Sequence, residues 1–318
     1  MRDLTFDFLR VTEQAALAAY PWVGSGNKIK ADGAATNAMR DTLNKINFDG
    51  KIVIGEGEID NAPMLYIGEE VGAGVNPKVD IAVDPIEGTT STVNGQENAF
   101  TVIAAAPRNT LLHAPDMYME KIVVGTEAKG EIDLNASLVE NVHAVAKANE
   151  KNIKDMRILI QNRERHTQLI DEVRNIGAKV YLFDEGDITY AAATCMKKQG
   201  IDLFYGIGGA PEGVLAAVAV KCLGGDMQAK LLPKNNTEYE RCVEMGLYNP
   251  NKILKLHNLI SSDKCLFVAT GITENILLKG IVLDTDSNYV THSLLLNGQN
   301  KHIRYIECKH SNYQELVK

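Results

Sequence analysis

The stretch Val79-Asp80-Ile81-Ala82-Val83-Asp84-Pro85-Ile86-Glu87-Gly88-Thr89 joins an apolar strand pattern to an acidic turn. Its first five residues have the β-branched, alternating character of a strand. Pro85 favours an extended Asp84 and predicts that the strand stops there, and Gly88 then allows a sharp change of backbone direction. The stretch therefore predicts a buried strand that delivers acidic side chains into a tight turn.

We call residues 84–89 the acidic turn. Asp84 and Glu87 can direct oxygen atoms into one concavity, with the Thr89 hydroxyl at its edge. Hard cations such as Mg²⁺ and Mn²⁺ take carboxylate, carbonyl and water ligands of this kind. Acidic residues that follow a strand are also common as helix caps or solvated loop groups. One such turn therefore leaves both interpretations open.

Three more acidic residues extend this set. Glu56 lies between two glycines after a second apolar run, where few neighbouring side chains can neutralise it. Asp32 opens a helical pattern, and taken alone it reads as an N-cap. Glu212 follows Pro211 in the first turn of a predicted helix, where an acid also favours the helix dipole.

The composition restricts the class of protein. The chain has 318 residues, of which 45% are hydrophobic and 23% charged, as in a globular protein with two domains or one large α/β unit. A net charge of −8 and the absence of a basic run argue against nucleic acid as a partner. An anionic substrate would need bound cations or a local basic pocket.

The chain shows no signal for export or for a membrane. Residues 1–20 read as an amphipathic helix rather than a signal peptide, and no apolar run reaches transmembrane length. The five cysteines are scattered without C-x-x-C spacing, so that neither a zinc site nor a disulfide framework is indicated. These features predict a cytoplasmic protein.

The two halves of the sequence follow different patterns. Residues 1–150 read as an α+β domain and include a hairpin-like passage from the run at 100–105 to the run at 121–125. Residues 151–318 begin with alternating strands and helices, with strands predicted at Arg157–Gln161, Lys179–Phe183 and Leu203–Tyr205. Such alternation predicts a doubly wound parallel sheet, so the fold class is α/β.

In a doubly wound sheet, ligands bind at the carboxyl ends of the strands. The segments after the three predicted strands are all polar or glycine-rich, namely 162–166, 184–187 and 206–212. Arg163 and Arg165 could together bind phosphate oxygens, or they could be an exposed pair bridged to Glu164. The third segment, which leads into a helix, suits an anion or a carbohydrate but is not a nucleotide fingerprint.

Taken together, these motifs resemble the class II fructose-1,6-bisphosphatases of bacteria, in the lithium-sensitive, metal-dependent sugar and inositol phosphatase superfamily. The resemblance is carried by Gly55–Glu69, by Asp80–Thr89 and by Ala114–Lys121, and it extends over nearly the whole chain. It implies a layered α-β-α-β-α fold with a metal-binding domain at 1–150 and a substrate-binding domain at 151–318.

Carried over by position, the resemblance also implies the site residues. The metal ligands would be Asp32, Glu56, Asp84, Glu87 and Glu212. Substrate would contact Glu87, Gly88, Thr89, Tyr118, Arg163, Glu164, Arg165, Glu185, Gly186, Asp187 and Gly209. Lys28 stands where the family has a lysine near the first ligand. Glu185 stands where the family usually has aspartate, and its longer side chain shifts the carboxylate outward.

The implied activity is hydrolysis of the C1 phosphate of fructose 1,6-bisphosphate in gluconeogenesis. Two or more Mn²⁺ or Mg²⁺ ions would serve it, with Glu56 and Thr89 activating the attacking water. Arg163 and Arg165 would hold the 6-phosphate of the sugar. The resemblance suggests a homodimer or homotetramer. The alternatives are a sedoheptulose-1,7-bisphosphatase, an inositol or nucleotide phosphatase, and a non-catalytic phosphosugar sensor.

Overall fold

The computed structural model of the protein describes residues 4–55 and 65–311. The chain divides into two compact units. The first comprises the residues up to Asn109 together with those from Lys264 onward, and the second is Thr110–Asp263. The boundary predicted after residue 150 falls inside the second unit, and the residues from Lys264 onward, predicted for the second domain, belong to the first unit.

The helices of the described residues, in chain order, are α1 (Thr5–Ala19), α2 (Lys28–Leu43), α3 (Thr89–Val93), α4 (Leu138–Ala148), α5 (Thr167–Asn175), α6 (Asp187–Thr194), α7 (Ala210–Leu223), α8 (Asn236–Glu244) and α9 (Leu256–Leu259). Within the described part of the chain, none of them is long and apolar enough to cross a membrane.

The strands of the same residues are β1 (Asp49–Ile54), β2 (Glu70–Val71), β3 (Lys78–Glu87), β4 (Phe100–Pro107), β5 (Tyr118–Val124), β6 (Arg157–Gln161), β7 (Lys179–Phe183), β8 (Leu203–Gly209), β9 (Asp226–Leu231), β10 (Leu254–Lys255), β11 (Leu266–Gly271), β12 (Val282–Leu283), β13 (Tyr289–Asn297) and β14 (His302–His310). They form two mixed sheets, and the protein is a mixed α/β fold.

The sheet of the first unit combines strands from both parts of the chain. Its order is β12-β13-β11-β4-β3-β1-β2, and β14 pairs with β13. Strand β11 lies between β4 and β13 and is antiparallel to both. Helices α1 and α2 pack on this sheet through buried apolar residues, including Phe8 and Met39. The rings of Phe8 and Phe48 meet edge to face at 5.7 Å.

Strand β3 does not end at Asp84, as its sequence predicted, but continues to Glu87. Its pairing with β4 shifts register between Asp84 and Glu87, and its pairing with β1 extends only to Ala82. Pro85 has no backbone N–H to donate, and the register shift places it where the ladder is already irregular. The strand therefore accommodates the proline and carries both carboxylates.

The sheet of the second unit has the order β10-β9-β5-β8-β6-β7. Strands β8, β6 and β7 are parallel, whereas β5, β9 and β10 run antiparallel to their neighbours. The predicted parallel sheet is thus mixed, although β6 and β7 have the predicted bounds. The predicted hairpin between residues 100–105 and 121–125 is wrong, because β4 and β5 belong to different sheets.

Candidate active site

The acidic turn closes around Gly88. This glycine has a φ of 82°, and a Cβ atom here would lie 2.6 Å from the carbonyl oxygen of Asn98. Both the left-handed backbone and the close approach require glycine. Helix α3 begins at the next residue, so the turn presents Thr89 at the first position of a helix.

Thr89 connects the acidic turn to helix α2. Its Oγ1 lies 3.0 Å from Oδ1 of Asp32 and 3.1 Å from the carbonyl oxygen of Ile86. A hydroxyl has one proton to donate, so these two acceptors share it. The remaining lone pair of the hydroxyl can accept a hydrogen bond from a third group.

Asp32 lies inside helix α2 and is not the N-cap that its position in the sequence suggests. The helix begins four residues earlier, and the side chain of Asn27 caps it by accepting from the N–H of Lys30 at 3.2 Å. Burial raises the pKa of Asp32, and the Thr89 hydroxyl and the nearby Lys28 oppose this shift. Lys28 itself donates to Oγ1 of Thr90 at 2.7 Å. The position inside the helix thus leaves the carboxylate available to the acidic turn.

Asp84 and Glu87 differ in their surroundings. Oδ1 of Asp84 accepts a hydrogen bond from the N–H of Ile86 at 3.0 Å. Glu87 is buried, with 8% of its surface exposed. Among the residues described, the predicted ligands do not form a group of three whose ligand atoms lie within 4.8 Å of one another. Glu56, the remaining predicted ligand of this region, lies outside the described residues.

In the second unit, a buried ion pair lies at the end of β8, where helix α7 begins. Nζ of Lys121 is 2.6 Å from Oδ2 of Asp187 and donates to the carbonyl oxygen of Gly209 at 3.1 Å. Lys121 is 1% exposed. Gln161 donates to the other oxygen of Asp187 at 3.3 Å. These contacts connect the ends of β6 and β8 with the start of α6, and Lys121 was not among the predicted residues.

Glu212 lies in the first turn of α7, as the sequence predicted. Its Oε2 is buried and accepts no hydrogen bond. A Cβ atom at Gly209 would lie 1.9 Å from this oxygen, so the glycine makes room for the carboxylate. Burial raises the pKa of Glu212, which the Lys121 cation opposes. A buried carboxylate oxygen that accepts no hydrogen bond can instead bind a metal cation.

Two cationic side chains lie over the ring of Tyr118. The guanidinium carbon of Arg165 is 5.0 Å from the ring centroid, and Nζ of Lys234 is 4.1 Å from it. Arg165 is held in place because it also donates to the carbonyl oxygen of Ile207 and, at 3.2 Å, to Oε1 of Gln161. We call Tyr118, Arg165 and Lys234 the cationic cluster; it suits an anionic group such as phosphate.

The side chain of Arg163 contacts the neighbouring segment of the same sheet edge. It donates to the carbonyl oxygen of Asp184 at 2.7 Å, and its carboxylate partner is Asp184 at 3.9 Å, not Glu164. Glu164 is exposed and Glu185 is half-buried. Gly186, with a φ of 101°, precedes helix α6. The second unit thus places Arg163, Arg165, Asp187, Gly209 and Tyr118 along one sheet edge, because Tyr118 at the start of β5 pairs with Gly209 at the end of β8.

One unit places carboxylates beside a hydroxyl, and the other places cationic side chains at a sheet edge. Phosphate-ester hydrolases use groups of both kinds. Comparison with known proteins points to the same class of enzyme.

The family model described as bacterial fructose-1,6-bisphosphatase, glpX-encoded, matches residues 2–310, and the chain belongs to this family. It is 48% identical to a class 2 fructose-1,6-bisphosphatase of Haemophilus influenzae, over 97% of this chain and 96% of the relative. It is 47% identical to fructose-1,6-bisphosphatase 1 class 2 of Escherichia coli K12, over 97% and 95%.

Proposed function

We propose that this chain is a metal-dependent fructose-1,6-bisphosphatase that hydrolyses the C1 phosphate and releases fructose 6-phosphate and inorganic phosphate. The observation that carries the proposal is the Thr89 hydroxyl, which donates to Asp32 at 3.0 Å within the acidic turn of a chain from this family. A phosphosugar sensor has no need of a hydroxyl held at carboxylates in this way.

The first unit supplies the group that orients the attacking water. Because Thr89 donates its proton toward Asp32, its oxygen is left as an acceptor for a water O–H. As the water attacks phosphorus, its proton passes to Oγ1 of Thr89 and the hydroxyl proton moves to the carboxylate of Asp32. Glu56 is the second predicted residue for this step.

The second unit supplies the groups that hold the sugar bisphosphate. Arg165 and Lys234, which both lie over the ring of Tyr118, would bind the phosphate that does not react. Asp187, held by Lys121, and Gly209 would bind the sugar hydroxyls. Arg163, Glu164, Glu185 and Gly186 belong to the same predicted edge. Binding at the remote phosphate positions the sugar without changing the chemistry at C1.

Divalent cations are the implied cofactor, and the residues present suit them. The proposed holders are Asp32, Glu56, Asp84, Glu87 and Glu212, and the unpartnered oxygen of Glu212 supports this set. All five offer carboxylate oxygen, which fits Mn²⁺ or Mg²⁺. Bound cations would neutralise the phosphoryl oxygens and stabilise the leaving oxygen. A homodimer or homotetramer in the cytoplasm, acting in gluconeogenesis, completes the proposal.

Phosphate release from a panel of substrates in the presence of Mn²⁺ tests this function. The panel contains fructose 1,6-bisphosphate, sedoheptulose 1,7-bisphosphate, inositol monophosphate and a nucleotide 3′-phosphate. We expect the highest kcat/KM for fructose 1,6-bisphosphate, with fructose 6-phosphate as the product. A preference for the seven-carbon sugar would support the alternative function, a sedoheptulose-1,7-bisphosphatase. If none of these substrates released phosphate, that would contradict an enzymatic role.

A further inference from the structure

Glu13, Cys308 and His310 meet on the first unit, between helix α1 and strand β14. One potential ligand atom from each residue lies within 4.8 Å of the other two. The two residues of β14 are separated by one position, so their side chains share the face of the strand that is turned toward the core. We call these residues the α1–β14 cluster. None of them belongs to the acidic turn or to the cationic cluster.

The register of the sheet also brings Thr291 to this cluster. It pairs with Cys308 across β13 and β14 and is fully buried. Its hydroxyl lies 2.9 Å from Nε2 of His310 and 3.3 Å from Oε1 of Glu13. The thiol of Cys308 is hydrogen-bonded to the same carboxylate. The three potential ligands are therefore already oriented toward one point.

The charge of the cluster is unbalanced. Glu13 is 6% exposed, and a carboxylate that is buried so deeply requires a proton or a cation. The imidazole of His310 is half-buried and offers Nε2 to the cluster.

We propose that the α1–β14 cluster is a binding site for one Zn²⁺ ion, with Glu13, Cys308 and His310 as ligands. Thiolate, imidazole and carboxylate are the usual zinc ligands, with bonds of about 2.0–2.3 Å that place tetrahedral ligand atoms roughly 3.3–3.8 Å apart. Nε2 of His310 and Oε1 of Glu13 are 4.0 Å apart, so a small inward movement would complete the geometry. A water molecule would occupy the fourth position.

The site differs from the acidic turn in the metal that it selects. The acidic turn offers only oxygen, which suits Mg²⁺ and Mn²⁺, whereas a thiolate with imidazole favours Zn²⁺. The site also joins a helix near the start of the chain to a strand near residue 310. A bound ion would therefore stabilise the closure of the first sheet against α1. This proposal does not depend on the proposed phosphatase activity.

Cobalt substitution provides the test, since Co²⁺ bound to a thiolate gives a charge-transfer band that carboxylate ligands do not give. The full-length protein, freed of metal by dialysis against a chelator, is titrated with Co²⁺ and then with Zn²⁺. We expect one equivalent to give the band and the ligand-field spectrum of a tetrahedral site, and Zn²⁺ to displace it. Thermal unfolding should shift upward with Zn²⁺, and the shift should increase with concentration.

Single substitutions identify the residues that bind Co²⁺. Cys308→Ser should abolish the charge-transfer band, and His310→Gln should weaken Co²⁺ binding by more than the roughly 10- to 100-fold that loss of a hydrogen-bond partner of a ligand costs. His302→Gln, on the exposed part of the same strand, should retain the wild-type titration. Thr291→Val keeps all three ligands and should also retain the band.

Three results would overturn the proposal. A wild-type protein that gives no thiolate band with Co²⁺ has no such site, whatever the variants do, and this result does not require any variant to fold. A band that persists in Cys308→Ser would assign the metal to another of the five cysteines. If only hydrogen bonding holds the cluster, Zn²⁺ will leave the unfolding temperature of the wild type unchanged.

Discussion

At the scale of the residue, Thr89 is the group whose role can be tested most sharply. If it orients the attacking water, Thr89→Ala should lose on the order of 10²–10⁴ in kcat, the usual contribution of one positioned acid-base group. Thr89→Ser keeps the hydroxyl and should retain measurable activity. Substrate binding should survive in both variants, as measured by titration with fructose 1,6-bisphosphate. An active Thr89→Ala enzyme would show that the residue only shapes the turn.

The two cations over Tyr118 make a second prediction at this scale. Arg165→Ala and Lys234→Ala should each raise KM for fructose 1,6-bisphosphate by roughly ten- to a hundredfold, since one charge-assisted contact is worth about 1.5–3 kcal/mol. Steady-state kinetics measure this effect, with the exposed Lys252→Ala of the same unit as the control. A fall in kcat with KM unchanged would instead assign these cations to the phosphate that reacts.

Lys234 and Lys121 show where reasoning from the sequence stopped. Lys234 reaches Tyr118 because β9 pairs with β5 and Leu232 donates its N–H to the carbonyl oxygen of Tyr118 at 2.9 Å. No local pattern in the sequence predicts the pairing of β9 with β5. Lys121 did carry a signal, since a lysine inside an apolar strand needs a buried partner. Asp32 was interpreted as an N-cap because the helical pattern was taken to begin there, whereas the helix begins at Lys28 and Asn27 supplies the cap.

At the scale of the element, the entry into α3 depends on Gly88. Gly88→Ala would force a side chain into a left-handed backbone, at about 1–2 kcal/mol, and would also bring Cβ against the carbonyl oxygen of Asn98. Gly74 has a φ of 70° with open space around it, so Gly74→Ala isolates the backbone cost. Urea unfolding should show a larger loss for Gly88→Ala. Equal losses would mean that the carbonyl moves without cost.

The turn between β12 and β13 provides a prediction on pH. The Lys309 ammonium and the N–H of Asn288 lower the pKa of Asp284 to about 2. The ionised carboxylate is therefore stabilised in the folded protein, fully so above its ordinary pKa of about 4. This contribution is lost as the pH falls toward 2.

Thermal unfolding of the wild type and of Asp284→Asn should consequently differ most near neutral pH, and the difference should shrink below pH 4 or so. Asp286→Asn is the matched control, because Asp286 also contacts Lys309, at 3.1 Å, on the same turn. A difference that does not change with pH would mean that the contacts of Asp284 act without regard to its charge.

Local patterns predicted the elements of the second sheet better than their pairing. The bounds of β6 and β7 follow from apolar runs that glycine or polar residues end. The strand through Pro85 continued because a register shift against β4 removed the need for its N–H. The hairpin between β4 and β5 was wrong because both edges of β4 are occupied, by β3 and by β11. Strand β11 is more than 150 residues away, beyond the reach of a local pattern.

At the scale of the whole molecule, the proposed activity depends on charge balance among the five carboxylates. Asp84→Asn and Glu56→Gln should each lose turnover at saturating Mn²⁺ while the protein stays folded, because each removes a negative ligand. Phosphate release and circular dichroism measure the two properties, and Asp41→Asn, exposed on α2, is the control. Wild-type activity in either variant would remove that residue from the ligand set.

The order of elements in the first unit has a consequence for synthesis on the ribosome. Strand β4 is made long before β11, the partner that covers one of its edges. The second unit, by contrast, is continuous from Thr110 to Asp263 and has all its strands before β11 is translated. The nascent chain must therefore carry an unfinished sheet with an open edge while a complete unit folds downstream of it. Such an edge invites pairing with other chains, which makes the last strands the step that protects the newly made protein from aggregation.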